Sequence, residues 1–133
     1  GEYHSIALTA DGAVWSWGGG DRGPLGEAVY GSPLGHGDEQ NQLLPKKIEA
    51  FAGQRVVAVS AGAFHSLART ADGSVWSWGH GHSGVWGHGD EQGQLEPRKV
   101  EAFANRRVVA VSAGGDQNIA LTTDGAVWSW GDG

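Results

Sequence analysis

Short apolar stretches alternate with glycine-rich turns along the chain, and none repeats with the period of a helix. In the middle of the chain the apolar side chains fall in residues 56–60, 65–70 and 75–78. Short runs of this kind, bounded by turn-forming residues, are typical of strands. In the third run Trp76 and Trp78 are two residues apart, so a strand places both indoles on one face. The pattern predicts three short strands in succession.

The first of these strands is apolar on both sides. Strict alternation places Val57 and Val59 on one face, and Val56 and Ala58 on the other. A strand with two apolar faces packs between two neighbouring layers. We therefore expect it to be buried on both sides.

An Asp-Gly pair separates the second strand from the third. Asp72-Gly73 has counterparts at Asp11-Gly12 and Asp124-Gly125, each between two strand patterns. Asp-Gly favours a two-residue hairpin, because such a turn needs positive φ at its central residues. We predict a hairpin at each of the three pairs.

A fourth strand is predicted after a proline. It runs from about Arg98 to Phe103, after Pro97, and matches residues 46–51. Proline has no N–H to donate and is tolerated at the edge of a sheet. We expect this strand to be the outer edge of its sheet.

The chain repeats itself. Val-Val-Ala-Val-Ser-Ala-Gly at 56–62 returns at 108–114, which is 52 residues later, and Trp-Ser-Trp-Gly occurs at 15–18, 76–79 and 128–131. The first Trp-Ser-Trp-Gly spacing is 61 residues, because an insertion of nine residues, 24–32, has no counterpart in the second unit. Units of about 50 residues with four short strands indicate propeller blades.

The predicted fold class is therefore all-β, a partial β-propeller made of four-stranded antiparallel blades. Residues 1–133 form a segment of one propeller domain. We divide it into an incomplete blade with the insertion (1–53), a complete blade (54–105) and an incomplete blade (106–133).

These motifs together resemble the regulator of chromosome condensation repeat. The resemblance rests on Val-Val-Ala-Val-Ser-Ala-Gly, the following His65-Ser66, Asp-Gly, Trp-Ser-Trp-Gly, the Gly-His-Gly-Asp of 87–90, and the proline before the outer strand, and it covers essentially the whole chain. It implies a seven-bladed ring, of which this chain holds the last three strands of one blade, all four of the next and the first three of a third. The chain departs from the family at Gly115–Asn118, which replaces the Ala63–Ser66 pattern, and at Val85-Trp86.

Composition excludes several classes of function. Nine Lys and Arg against 15 Asp and Glu give a net charge of −6, which disfavours nucleic acid and anionic membranes as partners. No apolar run is long enough to span a membrane. The absence of cysteine excludes disulfides, thiolate metal sites and a cysteine nucleophile, and it leaves the redox compartment open. Because the chain has no methionine, we expect it to be a piece of a longer protein.

Several motifs suggest chemistry but have a structural explanation. Residues 79–84 spell Gly-x-Gly-x-x-Gly without the helix that a nucleotide site requires. His80, His82, His88 and Asp90 could bind a metal, yet His88 recurs as His36 without histidine neighbours. Adjacent His and Ser on a strand point to opposite faces and cannot form a nucleophile–base pair. We expect no catalytic residue, no cofactor and no metal.

The hypothesis we favour is a non-enzymatic protein-interaction or scaffold segment with protein partners. Residues that break the repeat are the candidate contacts: Tyr30, His80, His82, Trp86 and Asp116. The resemblance implies two alternatives: a guanine nucleotide exchange factor for a small GTPase, and a structural linker in a large, possibly organellar, complex. A plant ultraviolet-B receptor resembles the family too, but its Gly-Trp-Arg-His-Thr motif has no counterpart with Trp or Arg here.

The incomplete ring has two open blade faces. Each exposes several hundred Å² of apolar surface in such an arrangement, more than a monomer usually leaves bare. We expect further blades or neighbouring subunits at both open ends, and we expect residues 1–133 not to be a stable free monomer.

Overall fold

A computed structural model describes residues 1–19, 32–80, 87 and 94–131. Ten strands are present in the described residues: β1 His4–Leu8, β2 Val14–Gly18, β3 Gln42–Lys47, β4 Val56–Ala61, β5 His65–Thr70, β6 Val75–Gly79, β7 Gln94–Lys99, β8 Val108–Ala113, β9 Gln117–Thr122 and β10 Val127–Gly131. Two three-residue 3₁₀ turns, Glu49–Phe51 and Glu101–Phe103, follow β3 and β7. In this part of the chain, no helix is long and apolar enough to cross a membrane.

The strands form three antiparallel sheets. The first has the order β1-β2-β3, the second β4-β5-β6-β7, and the third β8-β9-β10. Strands that are consecutive in sequence are neighbours in each sheet, as in a meander. The all-β fold class and the partial propeller are confirmed.

Hairpins form at all three Asp-Gly pairs, but each loop has three residues instead of the predicted two. In the second sheet Thr70 N–H donates to Ser74 O (3.0 Å), and Gly73 N–H donates to Thr70 O (2.9 Å). Gly73 has a φ of +85°, which suits glycine. The Asp72 carboxylate accepts hydrogen bonds from the Thr70 hydroxyl and the Ser74 N–H. These two bonds satisfy donors inside the longer loop, which explains why Asp precedes Gly here.

The fourth strand begins earlier and ends earlier than predicted. β7 runs from Gln94 to Lys99, so Pro97 lies within it and not before it. Residues 101–103, which we expected to extend the strand, form a 3₁₀ turn. That turn places Phe103 in the core, where 5% of it is exposed. The edge position of this strand, which tolerates the proline, is as predicted.

The alternation predicted for 56–60 is wrong because β4 contains an irregularity. Val56 pairs with Thr70 and Ala58 pairs with Arg69, so Val57 is an extra residue between them. A bulge of this kind shifts the side chains that follow it by one position. Val56 and Val59 consequently pack against the same hydrophobic cluster.

The sheets pack face to face through equivalent residues. The first and second sheets bury one cluster: Val14, Ile48, Phe51, Val56, Ala68 and Trp78. The second and third sheets bury its counterpart: Val75, Val100, Phe103, Val108 and Ala120, with Trp130 packed against it. In each cluster a phenylalanine from a 3₁₀ turn contacts an indole of the next sheet. The ring centroids are 5.6 Å apart for Phe51 and Trp78, and 5.5 Å apart for Phe103 and Trp130.

The two tryptophans of the second sheet lie at its contact with the first sheet. Trp78 is fully buried between the first two sheets, and Trp76 is half-buried beside it, with Phe51 edge-on to both indoles. The third sheet shows what happens where no described neighbour covers a face. Val127 is 69% exposed, whereas Val75, its equivalent in the second sheet, is fully buried.

This pair of valines gives a matched test of the packing. We expect Val75→Ala to lower the free energy of unfolding by about 2 kcal/mol, because it removes buried methyl groups. Val127→Ala should change it by less than about 0.5 kcal/mol. Denaturant unfolding of both variants provides the comparison, and equal losses would show that another surface covers Val127 in solution.

Candidate functional site at the loop end of the sheets

The strands define two ends of the structure. At one, which we call the loop end, β4 leads into β5, β8 leads into β9, β2 and β6 end, and β3 and β7 begin. The three Asp-Gly hairpins and the two 3₁₀ turns lie at the other, which we call the turn end. Of the partner-contact residues predicted from the sequence, the two that the structure describes, His80 and Asp116, belong to the loop end.

Backbone hydrogen bonds join the loop tips of the three sheets. Glu2 N–H donates to Ala63 O (3.1 Å), and Ala63 N–H donates to Gly115 O (3.2 Å). Residues 2, 63 and 115 are equivalent positions of the repeat. The residues that follow them, Tyr3, Phe64 and Asp116, therefore stand in sequence across the sheets, and we call them the tip row.

Two members of the tip row are aromatic and in contact. The Tyr3 and Phe64 ring centroids are 5.9 Å apart, and the His80 ring lies edge-on to Phe64 at 6.4 Å. Phe64 is 9% exposed, while Tyr3 is 63% exposed. Tyr3 is thus a large aromatic surface presented to solvent on a packed base.

The structure places two of the five predicted contact residues. Asp116 is exposed in the tip row. His80 is only 3% exposed. Its backbone N–H donates to Phe64 O (3.0 Å), and this bond helps to hold the tip row in place. Tyr30, His82 and Trp86 lie outside the described residues. Sequence reasoning missed Tyr3, which holds the position equivalent to Phe64 and so carried no repeat-breaking signal.

A buried histidine joins the first sheet to the second. His4 Nε2 is 2.9 Å from Ser66 Oγ, and Ser66 Oγ donates to Pro33 O (2.9 Å). Because the serine proton goes to the carbonyl, His4 Nε2–H is the donor to Ser66. Trp78 Nε1–H donates to the same Pro33 oxygen (2.8 Å). His4, Ser66 and Trp78 are all buried, so these bonds are shielded from water.

His4 and Ser66 have the separation of a nucleophile and its base, yet their hydrogen bonding is that of a structural bridge. A general base must accept the proton of the hydroxyl. Here the histidine donates, and Ser66 is fully buried. The arrangement stabilises the contact between the sheets and leaves the serine without a route to a substrate.

The second and third sheets have the same kind of joint with a different acceptor. His65 Nε2–H donates to Asn118 Oδ1 (2.7 Å), and both side chains are buried. Asn118 holds the position of Ser66, and Gln117 holds that of His65. The departure at 115–118 therefore changes the joint partner as well as the tip row.

Residues 32–37, which precede β3, are hydrogen-bonded to both the first and the second sheet. Ser16 Oγ donates to Leu34 O (2.6 Å) and accepts from His36 Nε2–H (2.9 Å), which ties the segment to β2. Gly37 N–H donates to Leu95 O (3.0 Å), which ties it to β7 of the second sheet. Gly35 has a φ of +76°, and a Cβ there would lie 2.8 Å from Trp78 Nε1. This close approach requires glycine.

Burial keeps these histidines neutral at physiological pH. It lowers the pKa of His4 to about 3, with a further contribution from the nearby N-terminal charge. Burial also lowers the pKa of His65 and of His36. The joints therefore present uncharged imidazoles, whose N–H groups serve as hydrogen-bond donors. Within the described ranges, no group of three or more potential metal ligands comes together.

Comparison with known proteins places the chain in a family. The model of the regulator of chromosome condensation (RCC1) repeat matches residues 11–69 and 72–121. The chain belongs to the RCC1 repeat family. Its relatives include the human E3 ubiquitin-protein ligase HERC2, 44% identical over the whole chain, which corresponds to 3% of HERC2. The chain thus spans a small part of this curated relative.

Solved structures, yeast RCC1 among them, have the same fold. The crystal structure of human WBSCR16 matches the whole chain over 32% of its own length, at 28% identity and a TM-score of 0.86. Yeast RCC1 (Prp20), solved with bound Kap60, matches 98% of the chain over 28% of its own length, at 27% identity and a TM-score of 0.80.

The histidine joint can be tested with two equivalent serines. Ser66→Ala removes the acceptor of His4 and one donor to Pro33, so we expect a loss of about 1–3 kcal/mol in the free energy of unfolding. Ser5, its exposed equivalent in the first sheet, gives the control, since Ser5→Ala should be nearly neutral. Chemical denaturation measures both, and a neutral Ser66→Ala would contradict the joint.

Stability should also fall on mild acidification. Below pH 6.5 the unfolded chain binds protons at His4 and His65 while the folded chain resists them, and for His4 this continues down to about pH 3. Each such histidine contributes a slope of at most about 1.4 kcal/mol per pH unit. The lowered pKa of Asp11, Asp72 and Asp124 acts only below about pH 4, where protonation removes their stabilising effect.

His65→Gln, which copies Gln117, should make this slope shallower between pH 6.5 and 4.5. Asn118→Ser, which copies Ser66, retains the histidine and should keep the slope. Unfolding free energies measured across this pH range provide the comparison, and identical slopes in the two variants would refute the assignment.

Proposed function

We propose that this chain is a non-enzymatic protein-interaction segment whose loop end is the docking surface. The observation that carries the proposal is the tip row, which presents an exposed aromatic ring and a carboxylate on a base joined across three sheets. Loops held on a rigid scaffold are where repeat proteins display their contacts.

The polar side chains that resemble catalytic groups support this proposal, because they are hydrogen-bonded between the sheets. His4, His65, Ser66 and Asn118 are buried between sheets and bonded to one another or to backbone. Their hydrogen-bonding capacity holds the scaffold together. The described loop end exposes Tyr3 and Asp116 together with carboxylates such as Glu2 and Glu39, side chains that are suited to binding.

The relatives indicate the kind of protein in which such a segment occurs. Prp20 is solved with Kap60 bound, and a second structure of Prp20p is described together with its binding to Gsp1p and histones. Human HERC2 is an E3 ubiquitin-protein ligase, and the chain matches 3% of its length. We propose that this segment holds a protein partner on behalf of a larger polypeptide or assembly, without supplying the chemistry itself.

We further propose that the open faces of the first and third sheets are covered by further blades or neighbouring subunits. Ile119 and Val127 are 51% and 69% exposed, whereas their equivalents Leu67 and Val75 are fully buried against the next sheet. The division into 1–53, 54–105 and 106–133 belongs to this proposal.

Guanine nucleotide exchange on a small GTPase is a second candidate, favoured by the likeness to Prp20. A nucleotide-release assay distinguishes it from a scaffold. Acceleration of release by the polypeptide that carries this chain, lost on Asp116→Asn, would favour exchange.

Site-directed photo-crosslinking tests the docking surface. A photo-reactive residue at Tyr3 or Asp116 should capture a protein partner in cells, whereas the same residue at Glu49 or Glu101, exposed positions of the turn end, should not. Capture that is equal at the two ends, or confined to the turn end, would contradict the proposal.

A further inference from the structure

Asp72 and Gly73, in the hairpin of the second sheet, can react with each other. The Gly73 backbone nitrogen attacks Cγ of the protonated Asp72 carboxyl, the N–Cγ bond forms, and one carboxyl oxygen leaves as water with the proton of the nitrogen. Water then opens the succinimide ring by breaking the original peptide bond, and the product is isoaspartate, in which the chain continues through the former side chain. Glycine favours ring closure, because no side chain shields its nitrogen and its backbone is flexible.

Hydrogen bonds inside the loop oppose this ring closure. Asp72 Oδ1 accepts from the Thr70 hydroxyl (2.6 Å) and from Ser74 N–H (3.0 Å), which holds the carboxyl group in place. Gly73 N–H donates to Thr70 O (2.9 Å), which holds the attacking nitrogen. The Thr70 hydroxyl, and after it the Ser74 N–H, also lower the pKa of Asp72, so less of the reactive protonated acid is present at mildly acidic pH. Thr70 thus restrains both the position and the protonation of the acid.

The third sheet covers the same pair of residues from outside. Gly73 is buried, and Arg107 Cγ lies 2.6 Å from the position that a Cβ on Gly73 would take. Gly73 O accepts from Val108 N–H (3.1 Å), and Ala71 O accepts from the Arg107 guanidinium (3.2 Å). The backbone on both sides of Asp72 is therefore bonded to the third sheet. Ring closure turns this backbone, so it requires these bonds to break first.

The other two hairpins show that this cover comes from the next sheet and not from the hairpin itself. Gly12, in the first sheet, is buried against Arg55 of the second unit, and Gly12 O accepts from Val56 N–H (3.2 Å). In the third sheet Asp124 has the same bonds within its loop, yet Gly125 is exposed, and no described atom lies within 4 Å of its Cβ position.

We propose that Asp72-Gly73 is a latent site of isoaspartate formation, which the Thr70 hydroxyl and the contact with the third sheet keep unreactive. The modification proceeds only from a state in which the hairpin has opened, so its rate follows the population of that state. Isoaspartate adds one atom to the backbone and displaces the two carbonyls that the third sheet binds. The reaction therefore turns a transient separation of the two sheets into a lasting one.

The test ages the longest natural polypeptide that carries this chain at mildly acidic pH and physiological temperature. Peptide mapping by chromatography and mass spectrometry measures isoaspartate at Asp72 and, in the same digest, at Asp11. Thr70→Val keeps the shape of the side chain and removes the hydroxyl. It should raise the rate at Asp72 about tenfold, which corresponds to about 1.4 kcal/mol, near the lower end for a hydrogen bond to a charged group.

Two controls isolate the hydroxyl. Thr70→Ser retains it, so the rate at Asp72 should stay within about twofold of the wild type. Asp11 is an internal control, because its own bonds to Thr9 and Ala13 are unchanged in both variants. The polypeptide unfolded in urea gives the rate without protection, which should be the fastest of all at Asp72.

Three results would overturn the proposal: equal rates at Asp72 in the folded and the unfolded polypeptide, equal rates in Thr70→Val and Thr70→Ser, or an equal rise at Asp11 and Asp72. The last would show opening of the whole structure and not of this hairpin. Arg107→Ala, at an exposed position, provides the test if Thr70→Val does not fold. It uncovers Gly73 and should raise the rate at Asp72 alone, and a rate equal to that of the wild type would refute the protection by the third sheet.

Discussion

The contact between a phenylalanine at the end of one sheet and an indole of the next is the interaction on which the rest of the structure depends. Phe51 meets Trp78, and Phe103 meets Trp130, at nearly the same distance. Each contact fixes how far apart two sheets lie and how they are turned. The hydrogen bonds between sheets form only at that spacing, because a donor and an acceptor on different sheets must approach within about 3 Å. The positions of the loop tips, which include Tyr3 and Asp116, therefore depend on this packing.

Much of the fold could be predicted from the sequence because the chain contains the same structural unit more than once. A motif that recurs after 52 residues must satisfy the same neighbours each time, so its repetition distinguishes structural residues from functional ones. This reasoning assigned His65 and Ser66 to the framework, and the structure gives them bonding partners in the adjacent sheets. It also directed attention to Asp116 as a departure from the repeat.

The details that escaped prediction depend on contacts distant in sequence. We predicted that the strand would continue through residues 101–103, but these residues form a 3₁₀ turn that packs Phe103 into the hydrophobic cluster shared with the next sheet. The extra residue at Val57 becomes visible only from the pairing of β4 with β5. Tyr3 conforms to the repeat, and its exposure follows from the open face beside it and not from its own neighbours in sequence. A comparison of burial at equivalent positions identifies Tyr3, because Tyr3 is exposed whereas Phe64 is buried.

The joints between sheets have a consequence for how such proteins grow. The first and second units carry a donor for the unit that follows, His4 and His65, and the second and third units carry an acceptor for the unit before, Ser66 and Asn118. When a whole unit is duplicated in the gene, donor and acceptor are copied together, and the new neighbour is compatible from the start. The two described joints share a histidine donor and differ in the acceptor, which is serine in one and asparagine in the other. Lengthening by tandem duplication is therefore easier for this architecture than gradual insertion, which would separate a donor from its acceptor.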